Sequence, residues 1–386
     1  MKQSFTIAVL PGDGIGPEVT HQAMILLEII SKILPVNFKL IVIPCGGEYY
    51  LKYGREWPKD SFIKCKKADA IFLGAVGHMV NGKPVMTKID HQCKHSRLAG
   101  HTIVIGNRQN LELYANVRPV KLYPGIQHKI SNRFSKIWST SEIDYIVVRE
   151  NTEDAYTGDF ERNQDQVITP IKISRKATEK IVRYAYNLAR KRAKLFKVTC
   201  VDKSNIIEAH NFFREIFIQI GNQEFPDIQQ DFAYADAFCQ YQLQQPALYD
   251  VVVAPNLIGD IISDNAAITQ GGLGMAASAN IGDSHAMFEP VHGSAPQLAG
   301  LNKANPIAAI LSLSMMLNWL GDRKLNENLK IAAAAIESAV KETIKQKVLT
   351  SDLICEDQSS DCRTVGAAIQ KNLADFLLSL KINRGD

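Results

Sequence analysis

The sequence has 386 residues, of which 46% are hydrophobic and 22% are charged, as in ordinary folded globular proteins. This length favours two domains, or one large α/β unit with a smaller lobe. Lys and Arg outnumber Asp and Glu by only 44 to 40, so the net charge of +4 gives no general attraction to nucleic acid or to membrane surfaces. We therefore expect neither partner, and any anionic ligand must be bound by local basic groups.

The N-terminal residues contain only a short apolar run before Pro11 and Gly12, which is too short for a signal peptide. No apolar stretch approaches the roughly 18 to 20 residues that span a bilayer. The seven cysteines are scattered without a CxxC pair, which indicates reduced thiols rather than a disulfide framework or a zinc site. A soluble, cytoplasmic protein is expected.

Apolar strand patterns alternate with helical patterns along the chain. A strand at 5–10 is followed by a glycine turn and by a helix from Val19 to Leu34. Further strands are predicted at 68–74, 143–149, 197–201 and 249–254, and further helices at 174–194, 204–220 and 305–320. This alternation predicts an α/β fold whose function lies in the loops after strand ends. The basic runs at 64–67 and 190–194 are interpreted as solvated helix faces.

Two carboxylates follow the strand that ends near residue 254. If a helix begins near Gly259, Asp260 and Asp264 lie on one face, with roughly 6 Å between their β-carbons. Two such carboxylates repel each other unless a cation lies between them, and their hard oxygen atoms suit Mg²⁺ or Mn²⁺. The spacing alone is equally compatible with Asp260 as a helix cap and Asp264 as a solvated side chain.

Three arginines, Arg108, Arg118 and Arg149, could bind carboxylates, because a guanidinium is a planar fork that matches them in two-pronged geometry. Arg149 ends a predicted buried strand, where a solvated arginine would be out of place. Tyr156 lies in a polar loop and Lys203 directly follows a strand, so they are candidates for a general acid and a general base. Each of these side chains has an ordinary structural alternative: a surface ion pair, packing or solvation.

Glycine-rich segments occur at 12–16, 74–77, 271–274 and 292–300. None of them has the GxGxxG spacing after a strand with an acidic residue about 20 positions later, so an ordinary Rossmann site is not supported. A Walker GxxxxGK motif is also missing from the sequence. Glycines let a backbone approach a phosphate or a flat ring closely, although they also serve plain turns.

Several motifs in a fixed order resemble the decarboxylating β-hydroxyacid dehydrogenases, a family that includes isocitrate, 3-isopropylmalate, homoisocitrate and tartrate dehydrogenases. The motifs are GDGIGPE, GAVG, RQNLELYANVRP, RENTEDAYTG, VDKSN, YADAF, NLIGDIISD and FEPVHGSAP, and together they span roughly residues 5 to 320. The resemblance implies an α/β fold of two lobes that share one sheet, distinct from the Rossmann fold. It also implies a homodimer with shared active sites.

The expected lobes are a larger, cofactor-binding lobe of residues 1–113 and 271–386, and a smaller lobe of residues 114–270 with the dimer interface and much of the substrate and metal site. In the resembling family, substrate carboxylates would be bound by Arg108, Arg118 and Arg149, and the β-substituent would lie near Thr102 and Val104. Mg²⁺ or Mn²⁺ would be held by Asp260, Asp264 and Asp236 of the second subunit. That subunit would also supply Lys203 as the base, with Tyr156 as the acid.

The nicotinamide cofactor would lie across the glycine-rich loops, in contact with Ile15, Gly74, Ala75, His292, Gly293, Ser294, Ala295, Gln297, Leu298 and Asn305. Gln297 and Leu298 replace the lysine and tyrosine that accompany NADP in bacterial isocitrate enzymes, so NAD is favoured, with NADP possible. The tail segment 352–361 departs from the family pattern, and its role is left open.

The substrate expectation is divided. RENTED, YADAF and ANIGD are typical of isocitrate dehydrogenases, and isocitrate is favoured on that ground. However, Val104 and Ile105 suit an apolar substituent, as in 3-isopropylmalate, since a buried carboxylate there would lose a partner worth about 1.5 to 3 kcal/mol. The segment at 49–55 resembles tartrate enzymes, and tartrate and homoisocitrate stay possible. A non-catalytic regulatory relative is the alternative of another class.

Overall fold

The computed structural model of the protein describes residues 2–88 and 96–384. Cys93 lies outside these ranges. The described α-helices are α1 Gly16–Ile33, α2 Gly47–Tyr53, α3 Ser61–Lys67, α4 His101–Asn110, α5 Arg175–Arg192, α6 Glu208–Glu224, α7 Ala235–Gln244, α8 Asn256–Ala267, α9 Ile307–Lys324, α10 Glu327–Lys345 and α11 Cys362–Arg384.

The strands of the main sheet are β1 Gln3–Gly12, β2 Val36–Val42, β3 Ala70–Ala75, β8 Ala115–Lys121, β11 Asp144–Glu150, β14 Lys197–Asp202, β15 Gln229–Tyr234, β16 Val251–Ala254, β17 Ala277–Ile281 and β18 Ala286–Pro290. Four short hairpins complete the set: β4 Met79–Val80 with β5 Lys83–Pro84, β6 Met86–Lys88 with β7 Ser96–Leu98, β9 His128–Ile130 with β10 Arg133–Ser135, and β12 Glu161–Arg162 with β13 Val167–Ile168. The strands predicted from apolar runs are all present, with ends that differ by a few residues.

A single ten-stranded sheet runs through the molecule in the order β15-β14-β16-β11-β8-β17-β18-β3-β1-β2. Its outer parts are parallel, whereas β8 is antiparallel to both β11 and β17, and β17 is antiparallel to β18. The sequence prediction of an α/β fold with one shared sheet is confirmed.

Helices cover both faces of this sheet. On the β3 side, α1 packs against α9 and α11, and α9 packs against α10 and β18; on the β16 side, α5 packs against α6 and β11. The strands there read as continuous apolar runs because both faces are covered, as in Val251, Val252 and Val253, all fully buried. Among the described residues, no helix combines the length and the apolar composition that crossing a membrane requires.

The strand order separates two parts of the chain. The five strands from β15 to β8 come from residues 115–254, and the five from β17 to β2 come from the N-terminal segment and from residues 277–290. The chain therefore crosses between the two halves of the sheet near residue 114 and again after α8. The proposed lobes, 1–113 with 271–386 and 114–270, divide the sheet at the same place, and their boundaries stay a prediction.

The basic run at 190–194 is not uniformly solvated, so the interpretation as a solvated helix face is wrong for Arg192. Its Nε donates to Asp250 Oδ1 at 2.8 Å, and its Nη2 donates to the main-chain oxygen of Asp144 at 3.1 Å. The Asp250 side chain is 0% exposed, so its charge needs a close partner. Lys191, by contrast, is exposed and pairs with the partly exposed Asp322.

Replacing Arg192 with Met should lower the free energy of unfolding by about 3 kcal/mol or more, because it leaves the carboxylate of Asp250 buried without its cation. Lys191→Met is the matched control and should cost less than about 1 kcal/mol, since its ion pair is exposed. Urea titration followed by circular dichroism measures both. Equal unfolding free energies for the two variants would contradict the conclusion that Arg192 compensates the buried charge of Asp250.

Candidate active site

Arg149 lies at the end of β11 and is 1% exposed. Its Nε donates to the main-chain oxygen of Asn256 at 3.0 Å and to the side-chain Oδ1 of the same residue at 2.9 Å, and its Nη1 donates to Asp260 Oδ1. Burial, together with the charges of Arg118 and Arg108, lowers the pKa of Arg149 to about 9, so the group stays charged at neutral pH. Its Nη2 is buried without a hydrogen-bond partner among the described residues.

Arg118 joins the same cluster from the neighbouring strand β8. Its Nη1 donates to Asp264 Oδ1 at 2.7 Å and to Ser263 Oγ at 2.8 Å, and its Nη2 donates to Asp260 Oδ1 at 3.0 Å. Its Nε donates to Asn116 Oδ1 at 2.7 Å. The guanidinium is thus fixed by four acceptors, and it forms ion pairs with both Asp260 and Asp264.

The helix that carries these carboxylates begins at Asn256, so the expected start near Gly259 is wrong. Asp260 therefore lies within the helix rather than at its cap, and Asp264 is one turn further along the same face. A β-carbon at Gly259 would come within 2.7 Å of the Arg149 side chain. The absence of a side chain at this position lets the arginine lie directly against α8.

Burial acts to raise the pKa of both carboxyl groups, but the outcome differs. At Asp260 the nearby charges of Arg149 and Arg118 prevail, and the pKa is lowered. At Asp264 burial prevails, aided by the negative charge of Asp260, and the pKa is raised despite Arg118. The two side chains thus hold carboxyl oxygen atoms beside the same guanidinium of Arg118, with the Asp264 side chain about half exposed.

Two adjacent carboxylates suit a divalent cation in chemistry, since Mg²⁺ and Mn²⁺ prefer hard oxygen ligands. They are not a complete protein site by themselves. Among the residues that the structure describes, no group of three or more His, Cys, Asp and Glu side chains could hold a metal ion. The donor set therefore fits one half of a cation site, with the remaining positions left for other ligands.

Arg108 enters from the end of α4 and is also buried. Its Nη2 donates to Glu289 Oε1 at 3.0 Å, and the same oxygen accepts from Asn280 Nδ2 at 2.8 Å. Its Nε is buried without a hydrogen-bond partner among the described residues. Neither Glu289 nor Asn280 was predicted from the sequence, although the FEPVHGSAP motif contains Glu289.

Tyr156 lies above this cluster, in the single-turn segment Asp154–Thr157. Its hydroxyl donates to Asp260 Oδ2 at 2.6 Å, and its ring centroid lies 4.9 Å from the guanidinium carbon of Arg149. Burial raises the pKa of Tyr156, and the hydrogen bond to the Asp260 carboxylate acts in the same direction. The phenol is therefore protonated at neutral pH and is available as a proton donor.

The loop around Tyr156 is fixed by carboxylates of the RENTED motif. Asp154 has φ +69°, an uncommon value for a residue with a side chain, and its Oδ2 accepts from the main-chain nitrogen of Leu257 at 2.9 Å. Glu153 accepts from the main chain and the hydroxyl of Ser174, both at 2.7 Å. Glu150 accepts from the main chain of Thr152 at 2.7 Å. These acidic side chains shape the loop.

Lys203 and Asp236 lie apart from the arginine and aspartate cluster. Lys203 follows β14, Asp236 lies in the first turn of α7, and Lys203 Nζ donates to Asp236 Oδ1 at 2.6 Å. Hydrogen bonding to Lys203 lowers the pKa of Asp236. In the described part of the chain, no hydrogen bond or ion pair joins either residue to Asp260 or Asp264. Their action in a second subunit stays a prediction.

Asp13, in the glycine-rich turn after β1, accepts hydrogen bonds from the GAVG loop and from the start of α2. Its Oδ2 accepts from the main chain of Gly47 at 2.8 Å and of Gly77 at 2.9 Å, and its Oδ1 accepts from Glu48 at 3.0 Å. The carboxylate thereby ties the turn after β1 to the start of α2 and to the GAVG loop after β3. The sequence analysis did not identify Asp13, although it lies inside the GDGIGPE motif.

The structure also brings together several residues predicted to bind the cofactor. The main-chain nitrogen of Ile15 donates to the oxygen of Ser294 at 2.8 Å, and that of Asp13 donates to Ala75 at 2.7 Å. Gly14 has φ +59°, and a β-carbon there would come within 2.0 Å of the Ser294 oxygen. Gly74 is equally confined, with Pro11 O only 2.3 Å from a β-carbon. The three loops therefore form one surface.

The 292–300 loop and the C-terminal segment border this surface. Burial lowers the pKa of His292, whose Nδ1 lies 3.0 Å from the oxygen of Gly293. Ala295 has φ +37° and precedes the turn that contains Gln297, which is exposed, and Leu298, which is partly buried.

Asn305 donates through Nδ2 to Asp352 Oδ2 at 3.0 Å and accepts from the main chain of Ile307 at 3.0 Å. Lys303 pairs with Glu356 at 3.2 Å, and the main chain of Cys362 donates to Asn302 at 2.8 Å. The segment 352–361, whose role the sequence left open, thus packs along the predicted cofactor loop.

Thr102 and Val104 lie in the first turn of α4. The main-chain nitrogen of Thr102 donates to Glu56 Oε2 at 2.8 Å, and Glu56 is buried. Burial raises the pKa of Glu56, while hydrogen bonds from Thr102, Gly100 and Ile103 oppose this shift. Val104 is partly buried and packs against a small apolar cluster that includes Ile103. A carboxylate of the protein therefore already covers the positive end of this helix.

The sequence matches the family model for isocitrate/isopropylmalate dehydrogenase over residues 6–369. It is 39% identical over 352 residues to the 3-isopropylmalate/3-methylmalate dehydrogenase of Methanocaldococcus jannaschii, covering 90% of this chain and 93% of that protein. It is 38% identical over 381 residues to the 3-isopropylmalate dehydrogenase of Aquifex aeolicus, covering 97% of each chain.

Two solved structures extend the comparison. The isocitrate dehydrogenase from Methylococcus capsulatus superposes with a TM-score of 0.80 at 32% identity, covering 96% of this chain and 99% of that one. A β-decarboxylating dehydrogenase from Thermococcus kodakarensis gives a TM-score of 0.72 at 29% identity, covering 98% of each chain. The chain therefore belongs to the isocitrate/isopropylmalate dehydrogenase family and is a decarboxylating dehydrogenase that acts on a CH–OH group.

Proposed function

We propose that this enzyme oxidises and decarboxylates a β-substituted malate with an apolar β-substituent, of the 3-isopropylmalate type, using NAD and Mg²⁺ or Mn²⁺. The observation that carries the proposal is a pair of buried guanidinium donors, Arg149 Nη2 and Arg108 Nε, which have no hydrogen-bond partner among the described residues and lie beside two adjacent carboxylates. Buried donors are almost always satisfied, so these two indicate an anionic ligand. A malate has two carboxylates and a hydroxyl to match them.

Asp260 and Asp264, with Asp236 of a second subunit, would hold the divalent cation. When bound, the cation would supply Lewis acidity at the oxygen of the reacting hydroxyl group, and NAD would supply a hydride acceptor. Arg149 and Arg118 form ion pairs with these carboxylates and would hold the aspartate oxygen atoms in place for the cation. The arginines also compensate the charge of the substrate.

Two protons must move in this reaction. Lys203 accepts the proton of the substrate hydroxyl when the hydride leaves the same carbon. Tyr156 returns a proton to the neighbouring carbon after carbon dioxide has left. The raised pKa of Tyr156 suits this second role, because the phenol is protonated until it is needed.

The preference for an apolar substituent rests on α4. The N-terminus of a helix attracts anions through its free N–H groups, and a substrate carboxylate near Thr102 would use them. Glu56 already accepts the Thr102 N–H at 2.8 Å, so an incoming carboxylate would meet a negative charge and an occupied donor. Val104 adds an apolar surface beside it. The two curated relatives above, named for 3-isopropylmalate, support the same substrate class.

Isocitrate, which the sequence motifs favoured, is the second candidate. Its case rests on RENTED, but the three acidic side chains of that motif accept main-chain N–H groups of Thr152, Ser174 and Leu257. They shape the Tyr156 loop, so the motif says little about the substrate's third carboxylate. Tartrate and homoisocitrate gain no further support. A regulatory, non-catalytic role is disfavoured, since a binding module has no need of the acid, the base and the paired aspartates together.

NAD is proposed over NADP on two grounds. Gln297 and Leu298 provide no positive charge for a 2′-phosphate. Asp352 lies 3.0 Å from Asn305, so the C-terminal segment places a carboxylate beside the predicted adenosine end. Like charges raise the free energy of binding a phosphate there.

Purified enzyme with Mg²⁺ or Mn²⁺ should reduce NAD with 3-isopropylmalate at a higher kcat/KM than with isocitrate, tartrate or homoisocitrate, and NAD should be preferred to NADP. Absorbance of the reduced nicotinamide at 340 nm measures each pair, and a chelator should stop the reaction. If no β-substituted malate supports reduction of the nicotinamide cofactor, the proposal is refuted. A higher kcat/KM with isocitrate would instead favour isocitrate as the substrate.

Arg149→Lys should lower kcat/KM at least about ten-fold, because a lysine cannot reproduce the fork, and each lost hydrogen bond to a charged group is worth about 1.5 to 3 kcal/mol. Steady-state kinetics with varied substrate measures the loss. Arg175→Lys, on the exposed surface beside Gln219 and Glu179, is the matched control and should leave kcat/KM unchanged. Equal kinetics in both variants would remove Arg149 from the substrate site.

Shared active sites predict rescue between two inactive variants. Lys203→Met and Asp260→Asn should each be inactive as homodimers. A heterodimer purified through two different tags has one site with both defects and one site with neither, so its activity should be about half that of the wild type. Each site built within one subunit would instead leave the heterodimer inactive, and that result would refute the sharing of Lys203.

A further inference from the structure

The loop that contains Lys203 is hydrogen-bonded to side chains of helix α6. His210 and Arg214 are four residues apart in this helix and therefore lie on the same face. Arg214 engages the buried Asp202 with both prongs, its Nε to Oδ2 and its Nη2 to Oδ1, each at 2.8 Å. The same carboxylate accepts from the main chain of Ser204 at 2.8 Å. The residues on either side of Lys203 are thus anchored.

Lys203 itself is held through its main chain. Its N–H donates to Nδ1 of His210 at 3.1 Å, and its carbonyl oxygen accepts from Ile207 at 2.9 Å and from Ile206 at 3.1 Å. His210 is 1% exposed, so its ring has no freedom to turn away. With both main-chain groups bound, the direction in which the Lys203 side chain leaves the loop is set.

The protonation of the ring agrees with this contact. Burial lowers the pKa of His210, although the charges of Asp154 and Asp202 act in the opposite direction. The neutral ring uses Nδ1 as an acceptor, so its proton is on Nε2. That Nε2 is buried without a hydrogen-bond partner among the described residues. Among the described residues, the ring therefore makes one hydrogen bond, and it is with the main chain of Lys203.

We propose that His210 is a positioning residue for Lys203, which aims the amine by accepting the Lys203 main-chain N–H. The proposal rests on the base function proposed above for Lys203. The Lys203 side chain is about one-third exposed, and its amine bonds to the more exposed Asp236. If both groups act in a second subunit's site, their own chain must hold them in the correct direction, and α6 binds the main chain of Lys203 through His210.

Two amide variants test the contact with matched polarity. In His210→Asn the side-chain oxygen can occupy the position of Nδ1, whereas in His210→Gln it reaches only the position of Nε2. We expect His210→Asn to keep kcat within about three-fold of the wild type. His210→Gln should lower kcat roughly ten- to a hundred-fold, the cost of a misplaced reacting group. The KM values for substrate and NAD should change less than about two-fold in both, since His210 is not among the residues proposed to bind either ligand.

Asn211→Ala, on the next position of α6, is the control and should match the wild type. Thermal melting of all variants accompanies the kinetics. Equal kcat for the Asn and Gln variants, a loss in Gln that follows a lower melting temperature, or failure of both to fold would each overturn the proposal. An active Lys203→Met enzyme would instead refute the base function, so the two failures are distinguishable.

Discussion

The site depends on a buried positive charge that cannot be left alone. Arg149 is almost fully removed from water, and such a charge is tolerated only when close acceptors replace its hydration. Asn256 and Asp260, both on α8, provide those acceptors. The arginine therefore joins the end of β11 to the helix that follows β16, and Gly259 provides the space for it. This contact orients the Asp260 carboxylate, and Arg118 orients that of Asp264.

From that contact the rest of the site extends across the sheet. Arg118 arrives from β8 and Arg108 from α4, and Glu289 on β18 holds Arg108 from the other half of the sheet. Three positive charges in a buried region would repel one another strongly without the carboxylates between them. Asp260, Asp264 and Glu289 supply three negative charges against these three arginines. Two guanidinium nitrogen atoms, Arg149 Nη2 and Arg108 Nε, still have no hydrogen-bond partner among the described residues, and a substrate carboxylate would supply the missing acceptors.

The proton-transfer groups are built differently from the anion site. Tyr156 is fixed by its bond to Asp260 and by a loop whose acidic side chains bind main-chain N–H groups. Lys203 lies on a separate loop, bonded to α6 through His210, and its amine donates to Asp236. A division of this kind suits an enzyme in which two subunits complete each other's sites, because each chain supplies a rigid loop and a rigid cluster.

Much of this protein could be predicted from local sequence. Strands and helices leave patterns of apolar residues that are set by residues close together in the chain. The α/β class and the strands were therefore predicted correctly, with strand ends that differ from the structure by a few residues. The paired aspartates, the three arginines and Tyr156 also stood out, because their residue types and their places after strands carry the chemistry. The start of α8 at Asn256 was missed, since its N-cap residue is Pro255, whose side chain cannot cap a helix.

Contacts between distant segments were decided only by the tertiary structure. Nothing local to Asp13, Glu56 or Glu289 tells which N–H group or guanidinium each will meet, because the partners lie 34 to 181 residues away in the chain. The same holds for Arg192. It was interpreted as part of a solvated basic run, but in the structure it donates a hydrogen bond to Asp250. Sequence alone determined the elements and the reactive groups. Burial and long-range pairing, which arise only when the sheet is assembled, decided which charges are neutralised and which are left for a ligand.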